Sequence, residues 1–168
     1  SPGNHDISFK PGDVGREFIE NKYGKTYFKF IKNKDLFIIL DSNNEAEVKY
    51  GTNNTYRITN EGEVKHGISP KQLDFFKKTL NENYRTVKNI FIISHHLIYF
   101  DKNRGPFSKA RPNDEQIDSN FWPTLYPILE NLNNNIFIIS GDTGNMRGKE
   151  LFCHKSRNIT FLATGMAG

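Results

Sequence analysis

Asn89-Ile90-Phe91-Ile92-Ile93-Ser94-His95-His96 and its near twin Asn135-Ile136-Phe137-Ile138-Ile139-Ser140-Gly141-Asp142 decide how this chain is read. Each opens on Asn, runs through four β-favouring apolar residues and ends on Ser, followed by residues that carry chemistry. An unbroken apolar run of this length fits a strand covered on both faces, as in parallel sheets, so both runs are expected to be central strands. In open α/β sheets ligands gather outside the carboxyl ends of the strands, where loops can carry unusual side chains. Functional residues are therefore sought just after Ser94 and Ser140.

Working outward, Leu36 to Leu40 is a third apolar run and reads as another buried strand. Tyr27 to Ile31 alternates as a half-exposed strand, with Asn33-Lys34-Asp35 as the turn between the two. Asp13 can cap a short helix through Val14, Phe18 and Ile19 that Gly24 ends. Ser69 with Gln72 three residues on forms a capping box, Pro70 takes the first helical position, and Leu73, Phe75, Phe76 and Leu80 give an apolar face of helical period. Trp122 or Pro123 opens another helix through Leu125, Ile128, Leu129 and Leu132. Asn43 to His66 is polar and reads as a long surface excursion; Asp101 to Asn120, directly after a ligand-bearing strand, is a candidate substrate-contacting lid. Strands alternating with helices place the chain in the α/β class.

Composition is compatible with this. At 168 residues the chain is one domain or part of one, and its 36% apolar content, at a mean hydropathy of −0.65, is gathered into short dense runs as in a globular protein. No stretch approaches the ~20 apolar residues of a membrane helix. The net charge of +4 is scattered through loops, which suits either steering of phosphate-bearing substrates or an ordinary solvated surface. The aromatics are embedded in strand and helix patterns, so no nucleic-acid partner is expected. A single cysteine, Cys153, excludes an internal disulfide and a zinc-thiolate site and leaves the compartment unassigned. Asn53-Asn54-Thr55 and Asn158-Ile159-Thr160 fit the glycosylation pattern, a frequent match in an Asn-rich chain.

Three polar clusters carry the chemistry: Gly3-Asn4-His5-Asp6, Ser94-His95-His96 and Gly141-Asp142-Thr143-Gly144. Amide oxygen, imidazole and carboxylate are donors that divalent metals accept at neutral pH, which points to a metal-centred hydrolase. Plainer readings exist for each: a polar turn, a hydrogen-bonded core histidine, a tight Gly-Asp-Thr-Gly turn. Two adjacent histidines at a strand end are hard to bury without partners, and both can face one site only if the strand has ended at Ser94.

Together the clusters resemble the calcineurin-like metallophosphoesterases, whose five ordered motifs each follow a strand. The last three of these are recognisable here: Gly3 to Asp6 matches the third, Ser94-His95 the fourth, and Gly141 to Gly144 occupies the fifth with Asp142 and Gly144 in place of two histidines. The resemblance extends to Phe37-Ile38-Ile39-Leu40-Asp41-Ser42, to the helix beginning at Ser69-Pro70, and to Phe161-Leu162-Ala163-Thr164-Gly165. It implies a layered sandwich of mixed β-sheets flanked by helices. Residues 1–168 are then a single domain, expected to be the C-terminal part of a metallophosphoesterase catalytic domain that begins upstream. It further implies hydrolysis of phosphate mono- or diesters through a metal-activated water, with a phosphorylated small molecule or other phosphoester as substrate.

The resemblance gives each residue a role. Asn4, His95 and Asp142 are metal ligands; His5 is the general acid or transition-state stabiliser, oriented by Asp6; His96 lines the substrate side. Two divalent ions are expected, Mn, Mg, Fe or Zn, completed by upstream residues. The Asp142 carboxylate favours manganese or magnesium over zinc, and Asn145 is a further candidate donor. Arg104 and Arg147 are candidate phosphate-binding residues, although loop arginines are commonly just solvated. Gly144, which deletes a ligand, keeps open the alternative of a degenerate, non-catalytic domain that uses the same fold for binding. A serine esterase is a third reading, one without a recognisable Gly-Asp-Ser nucleophile.

Overall fold

The computed structural model describes residues 14–42, 68–110, 121–143 and 151–164. In chain order these form α1 (Val14–Tyr23), β1 (Phe28–Lys32), β2 (Asp35–Ile39), α2 (Pro70–Asn83), β3 (Asn89–Ser94), a 3₁₀ turn (Gly105–Lys109), a π-helical turn (Phe121–Leu125), α3 (Tyr126–Leu129), β4 (Asn135–Ser140), β5 (Phe152–Ser156) and β6 (Ile159–Ala163). The chain is α/β: one six-stranded mixed sheet in the order β1-β2-β3-β4-β6-β5, flanked by helices. β2, β3, β4 and β6 run parallel, and an antiparallel hairpin partner closes each edge. A mixed sheet flanked by helices is consistent with the α/β sandwich that the resemblance implied. No helix among them is long and apolar enough to cross a membrane. Asp13, the 43–66 excursion and the second half of the 101–120 loop lie outside the described residues.

The twin runs are neighbours at the centre of the sheet. They pair without a stagger, from Asn89 opposite Asn135 to Ser94 opposite Ser140, so both strands end at the same height. The first hairpin turns on Asn33, whose φ of 58° is the left-handed conformation that Asn tolerates best among non-glycine residues. Asp35, expected in that turn, instead starts β2, where its carboxylate accepts a 2.7 Å hydrogen bond from Asn89 Nδ2. β5 was not expected from sequence; Phe-Cys-His-Lys-Ser has little strand character and is extended by its full pairing with β6.

One face of the sheet carries Leu36, Ile38, Ile90, Ile92, Ile136, Ile138, Ile159 and Phe161, all with zero exposure, in one buried cluster with Phe76 and Leu80 of α2 and Leu125 and Leu129 of the third helical segment. Each such aliphatic side chain removed from water contributes about 1.5–3 kcal/mol. The opposite face is less covered. There Phe30, Phe37, Phe91 and Phe137 stack across four strands, with ring centroids 4.6, 4.8 and 4.9 Å apart.

α2 begins as predicted, with Ser69 Oγ accepting from the Gln72 amide at 3.3 Å. The reciprocal half of the capping box is absent, because the Gln72 side chain reaches the loop after β2 instead. The helix expected through Leu132 is shorter and irregular: a π turn from Phe121, then one α turn that stops at Leu129. Pro123 and Pro127 remove amide donors from that segment, and Asn131 Nδ2 takes the Pro127 carbonyl at 2.7 Å.

Candidate metal centre

β3 ends at Ser94, and the next two residues leave the strand geometry, so both imidazoles can face one place. The neighbouring strand contributes Asp142 two residues after Ser140. One ligand atom from each of His95, His96 and Asp142 lies within 4.8 Å of the others, close enough for one cation to reach all three. The two imidazole centroids are 4.7 Å apart with their planes at 79°. His96 is fully buried, whereas His95 and Asp142 are half-buried.

Strand ends lock this arrangement. Ser94 donates its hydroxyl to the His96 carbonyl at 2.9 Å, so the 3.1 Å contact between Ser94 and Ser140 is donated by Ser140. The same His96 carbonyl accepts the Ile98 amide at 2.9 Å, bending the chain away from the sheet. Gly141 lies against His95: a Cβ there would sit 3.6 Å from His95 Nδ1, in ordinary contact with the ring. Asp142 has φ of 49°, a left-handed conformation that costs an L-residue of order 1 kcal/mol and that concentrates at functional sites. This backbone state sets the Asp142 carboxylate beside two imidazoles.

β2 supplies a second layer of the site. Asp41 is tied to α2 by two hydrogen bonds, its amide to Gln72 Oε1 at 2.9 Å and Gln72 Nε2 to its carbonyl at 2.8 Å. This fixes Ser42, fully buried, whose Oγ accepts the His96 amide at 2.9 Å and lies 2.9 Å from His96 Nδ1. From sequence, Asp41-Ser42 entered only within the Phe37 to Ser42 stretch of the resemblance, with no role in the site. The missed signal was a polar pair directly after a buried parallel strand, the position occupied by the other site residues. Ser42 is not placed as a nucleophile, since its Oγ is fully buried against the amide and Nδ1 of His96.

Arg104 is held elsewhere: its guanidinium lies 4.3 Å from the Trp122 ring centre and its Nε is 3.4 Å from Asp101. Those partners account for it as part of the aromatic cluster around Phe107. Asn4, His5, Asp6, Gly144, Asn145 and Arg147 lie outside the described residues. A recess lined by Tyr84, Arg85, Lys88 and Asn134 opens at the other end of the sheet, where Asn134 Nδ2 bonds the Tyr84 and Val87 carbonyls at 2.9 and 2.7 Å.

The donor set of the cluster, imidazole plus carboxylate, fits a divalent ion of borderline to hard character. No protein-family model matches the chain and no curated protein matches it, so its likeness to the calcineurin-like metallophosphoesterases rests on the motifs quoted above.

Proposed function

We propose that this chain carries a metal-dependent phosphoesterase centre acting on phosphate mono- or diesters. The observation that supports this reading is the meeting of His95 and Asp142 at the carboxyl ends of two adjacent parallel strands, where the sheet architecture directs ligands. These two side chains would hold a divalent ion, manganese or magnesium by the preference of a carboxylate-containing set. When bound, such an ion supplies Lewis acidity toward water and phosphoryl oxygens. His96 lines the substrate side. The resemblance adds Asn4 to the ligands and gives the leaving group to His5, oriented by Asp6. A second ion needs ligands from beyond the described residues. The chain's net positive charge favours approach of an anionic ester.

The test is calorimetric titration of the full chain with Mn²⁺, followed by hydrolysis of p-nitrophenyl phosphate and bis(p-nitrophenyl) phosphate with and without chelator. Binding together with chelator-sensitive turnover is the expected result. Binding without turnover supports the non-catalytic domain that Gly144 suggests. Failure of Mn²⁺, Mg²⁺ and Zn²⁺ alike to bind overturns the metal centre.

A further inference from the structure

His95, His96 and Asp142 are all within reach of one cation, yet their surroundings differ, and the difference lies in Ser42. We propose that Ser42 is a positioning residue that fixes the tautomer of His96, making it a hydrogen-bond donor to an anionic oxygen of the substrate instead of a metal ligand. The identity of that oxygen rests on the phosphoesterase reading above; the tautomer does not.

The hydrogens around Ser42 decide the tautomer. Ser42 Oγ already accepts the His96 backbone N–H at 2.9 Å, which is unambiguous because the amide can only donate. The hydroxyl has one proton, and among the described residues its only acceptor is His96 Nδ1, also at 2.9 Å. If Nδ1 instead carried the proton and donated to Oγ, the oxygen would receive two hydrogens. Its own proton would then be left without an acceptor in a site with zero exposure, at a cost of about 1–3 kcal/mol. The hydroxyl therefore donates to Nδ1, and the neutral ring keeps its proton on Nε2. A ring nitrogen that bears a proton cannot ligate a metal. Ligating histidines commonly donate through their second nitrogen to a carbonyl or carboxylate; Ser42 presents the opposite polarity.

The orientation is fixed as well as the proton. Two atoms of His96, backbone N and Nδ1, meet the same Ser42 oxygen, and Ser42 follows Asp41, which two hydrogen bonds to Gln72 clamp to α2. An imidazole N–H held this way suits an anionic oxygen, because charge-assisted hydrogen bonds are roughly twice as strong as neutral ones and preorganised donors need no rearrangement. The cluster thereby divides into two ligands, His95 and Asp142, and one donor.

Two measurements on the full chain test this. In metal-free protein labelled with ¹⁵N-histidine at mildly alkaline pH, long-range ¹H–¹⁵N correlation should show His96 protonated at Nε2 and bare at Nδ1. Ser42→Thr should keep that signature, and Ser42→Ala should give a mixture of tautomers. Wild-type His96 protonated at Nδ1 overturns the proposal without recourse to a variant. In Mn²⁺ titrations His95→Ala should weaken binding by about 100-fold or more, whereas His96→Gln, which retains an N–H donor, should stay within about threefold of wild type. Equal losses in the two variants would make His96 a ligand and overturn the proposal. If wild type binds no Mn²⁺, the phosphoesterase reading falls, and the tautomer result still decides the role of Ser42.

Discussion

The two ends of the twin strands carry polar residues in the same register and use them in opposite ways. At the amino ends, Asn135 Nδ2 donates to Asn89 Oδ1 at 2.9 Å and Asn89 Nδ2 donates to Asp35 Oδ1 at 2.7 Å, a ladder across β4, β3 and β2 whose members satisfy one another. Nearby Asn158 Nδ2 reaches the carbonyls of Leu129 and Leu132, tying the helical segment to the β5–β6 turn. At the carboxyl ends the serines lock the backbone, and the residues beyond them converge on one point with Asp142 in a left-handed conformation. One end closes its hydrogen bonds within the sheet. The other gathers two imidazoles and a carboxylate around one point.

The largest difference between the two ends is expected at His95. His95→Ala should weaken Mn²⁺ binding by about 100-fold or more while the thermal midpoint hardly moves, because the side chain is half-buried and its loss leaves the strands paired. Calorimetry and a melting curve read the two quantities separately. At the opposite end the outcome should invert. Asn89→Ala removes the middle rung of a part-buried ladder, so urea denaturation should show a loss of about 0.5–1.5 kcal/mol with unchanged Mn²⁺ affinity. Equal effects of these two substitutions on both quantities would erase the distinction.

Asp142→Gly should move stability and metal affinity in opposite directions. Glycine adopts positive φ without strain, so folding stability should rise by up to about 1 kcal/mol as metal affinity falls, a trade expected only where strain serves a site. The smallest effect is expected at Tyr99, which belongs to neither end. Its hydroxyl is buried without a hydrogen-bond partner among the described residues, and burial, assisted by the nearby Cys153 charge, pushes its phenol well above the usual value of 10.0. Unfolded chain can lose that proton above about pH 10 while folded chain keeps it, so stability should decline as pH rises through the alkaline range. Tyr99→Phe should be neutral, or stabilising by less than about 1 kcal/mol, at pH 7. Its stability should fall less steeply above pH 10, as alkaline denaturation curves can show.

The central strands were legible because four consecutive β-favouring residues leave little alternative, and the start of α2 because Ser69 and Pro70 act on their immediate neighbours. The pairing of His95 with His96 was likewise readable, since a strand that stops at Ser94 presents both. What the sequence hid depended on distant partners. Gln72 has the right spacing to complete a capping box, but a buried Asp41 backbone competes for its amide and wins. β5 is a strand by virtue of β6, and Ser42 matters through a residue on another strand. Asp142 could be named from its motif, but its left-handed backbone could not, because Asp accepts that conformation without demanding it.

The unstaggered alignment of β3 and β4 has a consequence for how this site can be lost. Sliding one strand by a single residue moves its end by about 3.3 Å and turns its side chains to the other side of the sheet. A one-residue deletion inside either apolar run would therefore leave both histidines and the aspartate written in the chain, and no place where they meet.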